Sequence, residues 1–440
     1  MAGLGDAPLM QYIAVPAVCL LITFLGFFSQ YLFHYSTTLD PGPPSRKETI
    51  TFNILLAALY YTYFKTVSVD PGRYVFADRV LEVDDKKQWC SKCEAPKPPR
   101  AHHCRHCQRC IPKMDHHCPW TNNCVSMTTF PHFIRFLIYA NLSLWMMGYL
   151  LFQRFYPLWE SRNLPSYLGP SLLALVSLSA ISVVGFFTSV ALFIMLVTTA
   201  KSWLTNQTTI EGWEVDRHEA IAERGGRDWW DITGPNGKPI RFEKIEFPYD
   251  IGFFANMAQA MGTSNILWWF FPFASNPKIG EDGTGSGWTW EENGFNRMKG
   301  MWPPLDPEKI RRANRTWPGA RRDYAAELKE LDIGPEERKE AFRQRQEQDL
   351  ERRKKLVAEL EEVDSNFEFV NGSDSDDDDH SDNDDNRGFD GAPGWTNSDG
   401  ERLRDYGVDE EAEDLADDNI PLAELIRRRK GFQYEATTQE

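Results

Sequence analysis

The chain has 440 residues and a formal net charge of −16 at pH 7. Its mean hydropathy of −0.46 is that of a soluble protein, but this average combines an apolar first part with a charged second part. Residues 371–385 contain eight aspartates and no lysine or arginine, so half of the excess charge lies in one local acidic run. This length allows two or three domains, and no nucleic-acid partner is expected.

Four stretches with few charged residues predict four transmembrane helices in the first part of the chain. The first stretch is uncharged over residues 7–39, the third over 136–153 and the fourth over 171–200. The second, 49–67, is the weakest because only residues 49–64 are uncharged. Four such stretches favour an α-helical membrane protein over a soluble domain with buried core helices.

The loops between these stretches differ in their content of basic residues. Residues 68–133 contain ten lysines and arginines, whereas the two loops on the other side contain two each. Positively charged loops stay in the cytosol, so we expect this loop and both termini to be cytosolic. The expected protein is therefore a multi-pass membrane protein that has the lipid bilayer as a partner.

The loop between the second and third stretches carries a dense group of metal-binding residue types. Residues 90–124 hold seven of the eight cysteines and five of the nine histidines. Two tetrahedral zinc sites need eight ligands, and six cysteines with two histidines supply eight. One cysteine is then spare, and a thiol beside histidines and an aspartate is a candidate nucleophile. The spacing alone does not say which cysteine is spare.

Two alternatives to a reactive cysteine remain for this group. Disulfides are disfavoured because the cysteines are odd in number and are expected in the reducing cytosol. The second alternative is a purely structural zinc module. It would not explain why the chain carries the run Asp-His-His-Cys at residues 115–118.

This run and its surrounding spacing resemble the zinc-binding cysteine-rich domain of the DHHC protein S-acyltransferases, or palmitoyltransferases, over the whole of residues 90–124. The resemblance implies two structural Zn²⁺ ions. Their implied ligands are Cys90, Cys93, His103 and Cys110 for one ion, and Cys104, Cys107, His117 and Cys124 for the other.

The same resemblance assigns roles to the run itself. Cys118 is expected to be the acyl-accepting nucleophile, His116 its base, and Asp115 the carboxylate that orients the imidazole. His102 and His106 are expected either to be solvated or to contact the metal ligands without binding the ion themselves. Trp120, beside the nucleophile, is expected to form a wall of the acyl-binding site.

Three further motifs support the resemblance. Asp70-Pro71-Gly72 follows the second stretch, and the run 208–211, Thr-Thr-Ile-Glu, follows the fourth, which implies that Thr209 lies near Asp115. Asn256 matches an asparagine that bridges backbone groups in the family.

Other residues point to a subgroup of the family. Residues 126 and 129, serine and threonine here, depart from the Gly and Asn of many members. Together with the tryptophans of a following segment, this departure is similar to the fungal endoplasmic-reticulum subgroup. Those tryptophans are Trp203, Trp213, Trp229 and Trp230.

The sequence predicts six segments in chain order. They are transmembrane helices 1 and 2 in 1–67, the cytosolic cysteine-rich zinc domain in 68–133, transmembrane helices 3 and 4 in 134–200, the cytosolic Thr-Thr-x-Glu and aromatic-motif region in 201–273, a charged helix-prone segment in 274–363, and an acidic disordered tail in 364–440.

The resemblance implies an enzyme that transfers a fatty acyl chain from acyl-CoA, such as palmitoyl-CoA, to cysteine thiols of membrane-associated proteins. The reaction would be ping-pong, through a thioester on Cys118, and the expected substrates are membrane proteins with juxtamembrane cysteines. A transmembrane zinc scaffold would have no use for this thiol. A transporter would need polar or broken helices at the membrane midplane, and the four stretches have no charged residue at their centres.

Overall fold

The computed structural model describes the chain as long helices interrupted by a compact cysteine-rich domain. The described residues are 8–36, 38–75, 89–163, 165, 169–223, 244–280, 285–304, 402–409 and 413–414. The α-helices are α1 (Pro8–Thr23), α2 (Ser29–Tyr35), α3 (Arg46–Ser68), α4 (Phe130–Glu160), α5 (Leu172–Thr205), α6 (Thr209–Glu223), α7 (Phe253–Met261) and α8 (Ile266–Phe270). The strands are β1 (Trp89–Cys90), β2 (Ala95–Pro96), β3 (His102–Cys104), β4 (Arg109–Ile111), β5 (His116–Cys118), β6 (Asn123–Val125) and β7 (Glu413–Asp414).

Three helices among the described residues are long and apolar enough to cross a membrane. They are Tyr12–Tyr35, in which a π-helical turn joins α1 to α2, then Phe130–Glu160 and Leu172–Thr205. These helices fit a multi-pass membrane protein. The predicted second transmembrane stretch is also helical, as α3, but it is less apolar and is not one of the three.

The helix boundaries follow from local sequence. Ser45 and Glu48 form a capping box at the start of α3, and Ser171 accepts a hydrogen bond from the third residue of α5. Helix α5 ends at Asn206, which adopts the left-handed conformation. Helix α4 continues through Pro157 for another three residues, to Glu160.

The helices α2, α4 and α5 share an apolar core that contains one buried cation. Phe33, Leu150 and Leu178 are fully buried in this core. The guanidinium of Arg154 lies 3.9 Å from the centre of the Phe33 ring and donates a 2.8 Å hydrogen bond to the carbonyl oxygen of Gly42. The cation thus fastens the end of α4 to the loop that follows α2.

The cysteine-rich domain, residues 89–129, consists of three short antiparallel hairpins. Strands β1 and β2, β3 and β4, and β5 and β6 form the three pairs. In the second pair His103 lies opposite Cys110, and in the third His117 lies opposite Cys124. Direct cross-strand neighbours have side chains on the same face, so each pairing brings two candidate ligands together.

Side-chain hydrogen bonds attach the third hairpin to the end of α3. The side-chain amide of Asn123 donates to the carbonyl oxygens of Thr66 and Val69, at 3.0 and 2.8 Å. The hydroxyl of Ser126 donates to the carbonyl oxygen of Pro71 at 2.7 Å. The bond to Thr66 satisfies a carbonyl that the helix end leaves unpaired, and the three bonds together fix the hairpin at one end of the helical bundle.

The last two predicted segments are described only in part. The described part of the helix-prone segment 274–363, residues 274–280 and 285–304, contains no helix. The acidic tail 364–440 is not disordered throughout, because residues 402–409 include a 3₁₀ turn and 413–414 form strand β7. The remainder of both segments, like Trp229 and Trp230, lies outside the described residues.

Candidate active site and metal centres

The first candidate metal centre joins the first and second hairpins. Its four ligand atoms come from Cys90, Cys93, His103 and Cys110, and all lie within 4.8 Å of one another. Nδ1 of His103 lies 3.4 Å from Sγ of Cys90 and 3.2 Å from Sγ of Cys93. Tetrahedral zinc with ordinary bond lengths would separate a nitrogen ligand from a sulfur ligand by about 3.6 Å, so the quartet fits this ion.

The second candidate metal centre joins the second and third hairpins. Its quartet is Cys104, Cys107, His117 and Cys124. Nδ1 of His117 lies 3.7, 3.7 and 3.5 Å from the three sulfur atoms in that order. The sulfur atoms of Cys107 and Cys124 are 3.5 Å apart, near the edge of about 3.8 Å in a tetrahedral zinc–thiolate site.

In both centres a tight turn directs a backbone N–H group at a cysteine sulfur. The backbone N–H of Cys93 points at Sγ of Cys90, and that of Cys107 at Sγ of Cys104, each with a donor–acceptor distance of 3.4 Å. Such bonds favour the thiolate, which is the form that binds metal. All eight cysteines lie in the described part of the chain and are free of disulfide bonds. Each quartet could therefore hold one metal ion.

Cys118 is the cysteine of the domain that belongs to neither quartet. It is the last residue of β5, directly after the ligand candidate His117, and it is 3% exposed. Successive side chains of a strand point to opposite faces. His117 therefore faces the second metal centre, whereas His116 and Cys118 face away from it, toward the helices.

His116 is held between a carboxylate and the thiol. Its Nδ1 lies 2.8 Å from Oδ2 of Asp115. Burial alone would lower the pKa of His116, but its hydrogen bonds to Asp115 and Cys118 outweigh burial and raise the pKa to about 10. Burial likewise opposes ionisation of Cys118, yet the imidazole lowers the pKa of this thiol overall. The arrangement therefore stabilises a thiolate paired with an imidazolium.

Asp115 is itself positioned by the start of α6. The backbone N–H of Thr209 donates to Oδ1 of Asp115 at 2.7 Å, and the hydroxyl of Thr209 donates to the backbone carbonyl of Asp115 at 2.6 Å. Oδ1 of the carboxylate thus accepts from α6 while Oδ2 accepts from His116. A carboxylate placed in this way fixes the orientation of the imidazole.

Comparison with known proteins decides the family. Residues 83–216 match the model of the DHHC palmitoyltransferase family. The chain is similar to Palmitoyltransferase PFA4 of Gibberella zeae, at 61% identity over 98% of each chain. It is also similar to Palmitoyltransferase pfa4 of Neurospora crassa, at 46% identity over 96% of each, and to that of Aspergillus fumigatus, at 42% identity over 96% of this chain and 98% of the relative.

The chain belongs to the DHHC palmitoyltransferase family. This membership confirms the predicted enzyme class, protein S-acyltransferase, and the resemblance on which the prediction depended. The match to the family model spans both candidate metal centres and the Asp-His-His-Cys run, and it reaches into α6.

In this DHHC palmitoyltransferase, Cys118 opens onto an apolar cluster between helices. Leu56, Leu59 and Tyr63 of α3 and Phe136 of α4 belong to the cluster. The rings of Phe133 and His116 meet edge to face, with 5.9 Å between the ring centres. Val15 and Cys19 of α1 pack against the same cluster. The Cys118 thiol therefore borders the apolar interior of the helical bundle.

Trp120 lies in the turn of the third hairpin, two residues after Cys118. Its side chain is about half exposed, and its carbonyl oxygen accepts a 2.9 Å hydrogen bond from the hydroxyl of Tyr63. Its backbone therefore helps to attach the turn to α3.

A buried ion pair that the sequence analysis missed connects the cysteine-rich domain to α6. Arg100 donates from Nε and a terminal nitrogen to the two carboxylate oxygens of Glu211, at 2.6 and 2.7 Å. The guanidinium lies between the rings of Tyr249 and Trp290, 4.5 and 4.7 Å from their centres. The sequence identifies Glu211 only as the last residue of the Thr-Thr-x-Glu motif. No pattern near Arg100 predicts that it pairs with Glu211.

Lys113 lies close to this pair. Burial, together with the charge of Arg100, lowers the pKa of Lys113 to about 7. Its amino group donates a 2.6 Å hydrogen bond to Oδ1 of Asn206, and the backbone carbonyl of Asn206 accepts from Arg100 at 2.5 Å. Asn206, the residue that ends α5, is thereby joined to the cysteine-rich domain.

The remaining candidate residues lie around this framework. His102 is buried in β3 and His106 stacks on His117 with ring centres 4.4 Å apart, but neither belongs to a quartet. Thr129 donates to the carbonyl oxygen of Cys124 at 2.7 Å, which gives this departure from the family pattern a local role. Asn256 donates to the carbonyl oxygen of Leu204 at 2.7 Å and accepts from the N–H of Ile251 at 3.0 Å.

Proposed function

We propose that this enzyme transfers a fatty acyl chain from palmitoyl-CoA, or another long-chain acyl-CoA, to cysteine thiols of membrane-associated proteins through a thioester on Cys118. The observation that carries the proposal is the chain of contacts from Asp115 through His116 to a buried thiol that borders an apolar cluster.

The proposed reaction has two transfers. In the first, the Cys118 thiolate attacks the carbonyl carbon of the acyl-CoA thioester, the bond from that carbon to the CoA sulfur breaks, and CoA leaves with the proton that His116 held. In the second, His116 accepts the proton of a substrate thiol, whose sulfur attacks the acyl-Cys118 carbonyl carbon and releases Cys118. One thioester replaces another at each step, and the kinetics are ping-pong.

The two metal centres are proposed to be structural zinc sites with the quartets described above. Four protein ligands leave no open position for water or substrate on a tetrahedral ion. When bound, zinc would contribute folding free energy to hairpins that are too short to be stable alone. The protein's own residues therefore carry the acyl-transfer chemistry.

The acyl chain is proposed to lie along the apolar cluster below Cys118, with Trp120 at its entrance. Transfer of each methylene from water to such surroundings contributes about 0.8 kcal/mol. Because the thiol lies at the end of the helical bundle, protein substrates with juxtamembrane cysteines would reach it most readily.

The membrane arrangement is proposed to have four spans, with α3 as the second. Its 23 residues extend over about 34 Å at 1.5 Å per residue, enough to cross a hydrocarbon core of about 30 Å. The basic residues of 68–133 support a cytosolic position for the cysteine-rich domain. Resemblance to the fungal subgroup supports the endoplasmic-reticulum membrane.

Incubation of the purified protein with labelled palmitoyl-CoA tests this function. The wild type should acquire label that hydroxylamine removes, and should pass it to a membrane-anchored acceptor peptide with one cysteine. Cys118→Ser should acquire none, whereas the matched control Cys19→Ser, altered in the same apolar cluster, should label normally. Label that persists in Cys118→Ser would mean that the acyl acceptor lies elsewhere.

A further inference from the structure

A segment near the C-terminus runs beside the strand that connects the two metal centres. The backbone N–H of Asp409 donates to the carbonyl oxygen of His103 at 2.8 Å, and that of Arg105 donates to the carbonyl oxygen of Gly407 at 3.1 Å. Val408 forms an antiparallel bridge with Cys104. His103 belongs to the first quartet and Cys104 to the second, so the segment contacts both centres through one strand.

The same segment then adds a strand to the first hairpin. Strand β7 pairs antiparallel with β1, with Glu413 opposite Cys90 and Asp414 opposite Trp89. Because β2 occupies the other edge of β1, β7 completes a three-stranded sheet in the order β2-β1-β7. Addition of a strand to a free edge is a general mode of peptide recognition, in which backbone hydrogen bonds provide the affinity.

Two apolar side chains anchor the segment. Leu403 and Val408 are 3% and 1% exposed, and they pack in one cluster with Ile111, Met114 and Trp213. Such burial is the main source of free energy for fixing a short segment on a domain.

Charge and backbone shape add selectivity to the contact. The amino group of Lys92 forms an ion pair with the carboxylate of Asp409. Gly407 has φ of +83°, and a Cβ atom added there would lie 2.7 Å from Cβ of His117. Only glycine fits both that conformation and that distance, so the backbone passes directly against a candidate metal ligand.

We propose that residues 402–409 and 413–414 are an intramolecular partner of the cysteine-rich domain, docked by strand addition and by the Leu403 and Val408 anchors, and that this docking slows the release of metal from both centres. The docking is independent of the function proposed above. The effect on metal rests on the two zinc centres proposed there.

The test uses the full-length enzyme in detergent, with the double variant Leu403→Ser/Val408→Ser. Hydrogen exchange reports docking through the amide of Arg105, which donates to Gly407. Transfer of zinc to a colorimetric chelator reports retention of metal. The variant should lose protection of the Arg105 amide and release zinc about 10–100-fold faster. This is the range by which residues that contact metal ligands typically change the affinity for the metal.

Two further variants separate docking from a general loss of folding. Leu403→Ala, a milder change, should move both measurements in the same direction by less. Gly407→Ala should accelerate zinc release, whereas the matched control Gly294→Ala should not, because Gly294 also has positive φ but no atom within 4 Å of an added Cβ.

Each possible outcome tests a different part of the proposal. Unchanged protection at Arg105 in the double variant would overturn the docking. Lost protection with unchanged zinc release would overturn the role in retaining metal. A purified protein without zinc would refute the metal centres proposed above, and the exchange measurement would still decide whether the segment docks.

Discussion

The buried ion pair between Arg100 and Glu211 allows a quantitative prediction about how the proposed active site is held. The side chains are 0% and 2% exposed, and two charge-assisted hydrogen bonds join them. Arg100 belongs to the cysteine-rich domain, and Glu211 lies in the first turn of α6, two residues after Thr209, which positions Asp115. Loss of the pair should therefore affect both stability and the position of the Asp115 carboxylate.

Glu211→Gln keeps the shape of the side chain but removes its charge. The guanidinium then stays buried between two aromatic rings without a counter-charge, which typically costs about 3–5 kcal/mol. For a folded unit of 150–250 residues, this corresponds to a fall in melting temperature of about 6–20 °C.

Thermal unfolding in detergent measures this fall, with zinc content and acyl labelling measured on the same samples. The double variant Arg100→Met/Glu211→Leu is the control, because replacement of both charges by apolar groups is often neutral. It should melt well above the single variant. The reasoning fails if Glu211→Gln melts within about 2 °C of the wild type, or if the double variant is as unstable as the single one.

Three other predictions concern the Asp-His-His-Cys run and the metal. His116→Ala should keep both zinc ions but label about 10²–10⁴-fold more slowly; since the imidazole lowers the pKa of Cys118, its loss raises that pKa, and the rate should recover as pH rises, unlike a rate limited by folding. Thr209→Val should slow labelling about two- to tenfold at unchanged zinc content, through loss of one hydrogen bond to Asp115; an unchanged rate would refute its positioning role. Cys124→Ala should lose zinc and melt at lower temperature, and metal analysis that still finds two ions would refute the quartets.

The parts of the site that sequence predicts are those built from local geometry. Cys-x-x-Cys turns place two sulfur atoms close together. The two ligand quartets that the family resemblance implies are the same two that the hairpin registers bring together in the structure. The long apolar helices follow from composition, as three of the four predicted spans show. The remaining one, the predicted second span, is helical as α3 but carries charges and hydroxyls that lower its hydropathy.

The parts that sequence does not predict depend on distant pairing. Arg100 and Glu211 are 111 residues apart, and each alone reads as an ordinary solvated charge. The composition of the tail predicts disorder because most of its residues are acidic or polar. The two apolar anchors Leu403 and Val408 are too few to change that average. Pro157 does not end α4, because a proline in the last turn removes only one donor.

Intact-mass analysis of Cys118→Ser after incubation with palmitoyl-CoA, combined with zinc analysis of the same preparation, tests the central claim most directly. The account predicts a folded protein with two zinc ions and no added acyl chain, beside a wild type with two zinc ions and one hydroxylamine-sensitive acyl chain. A variant that carries one zinc ion, or that still gains the acyl mass, would contradict it, because Cys118 would then be a metal ligand or not the nucleophile.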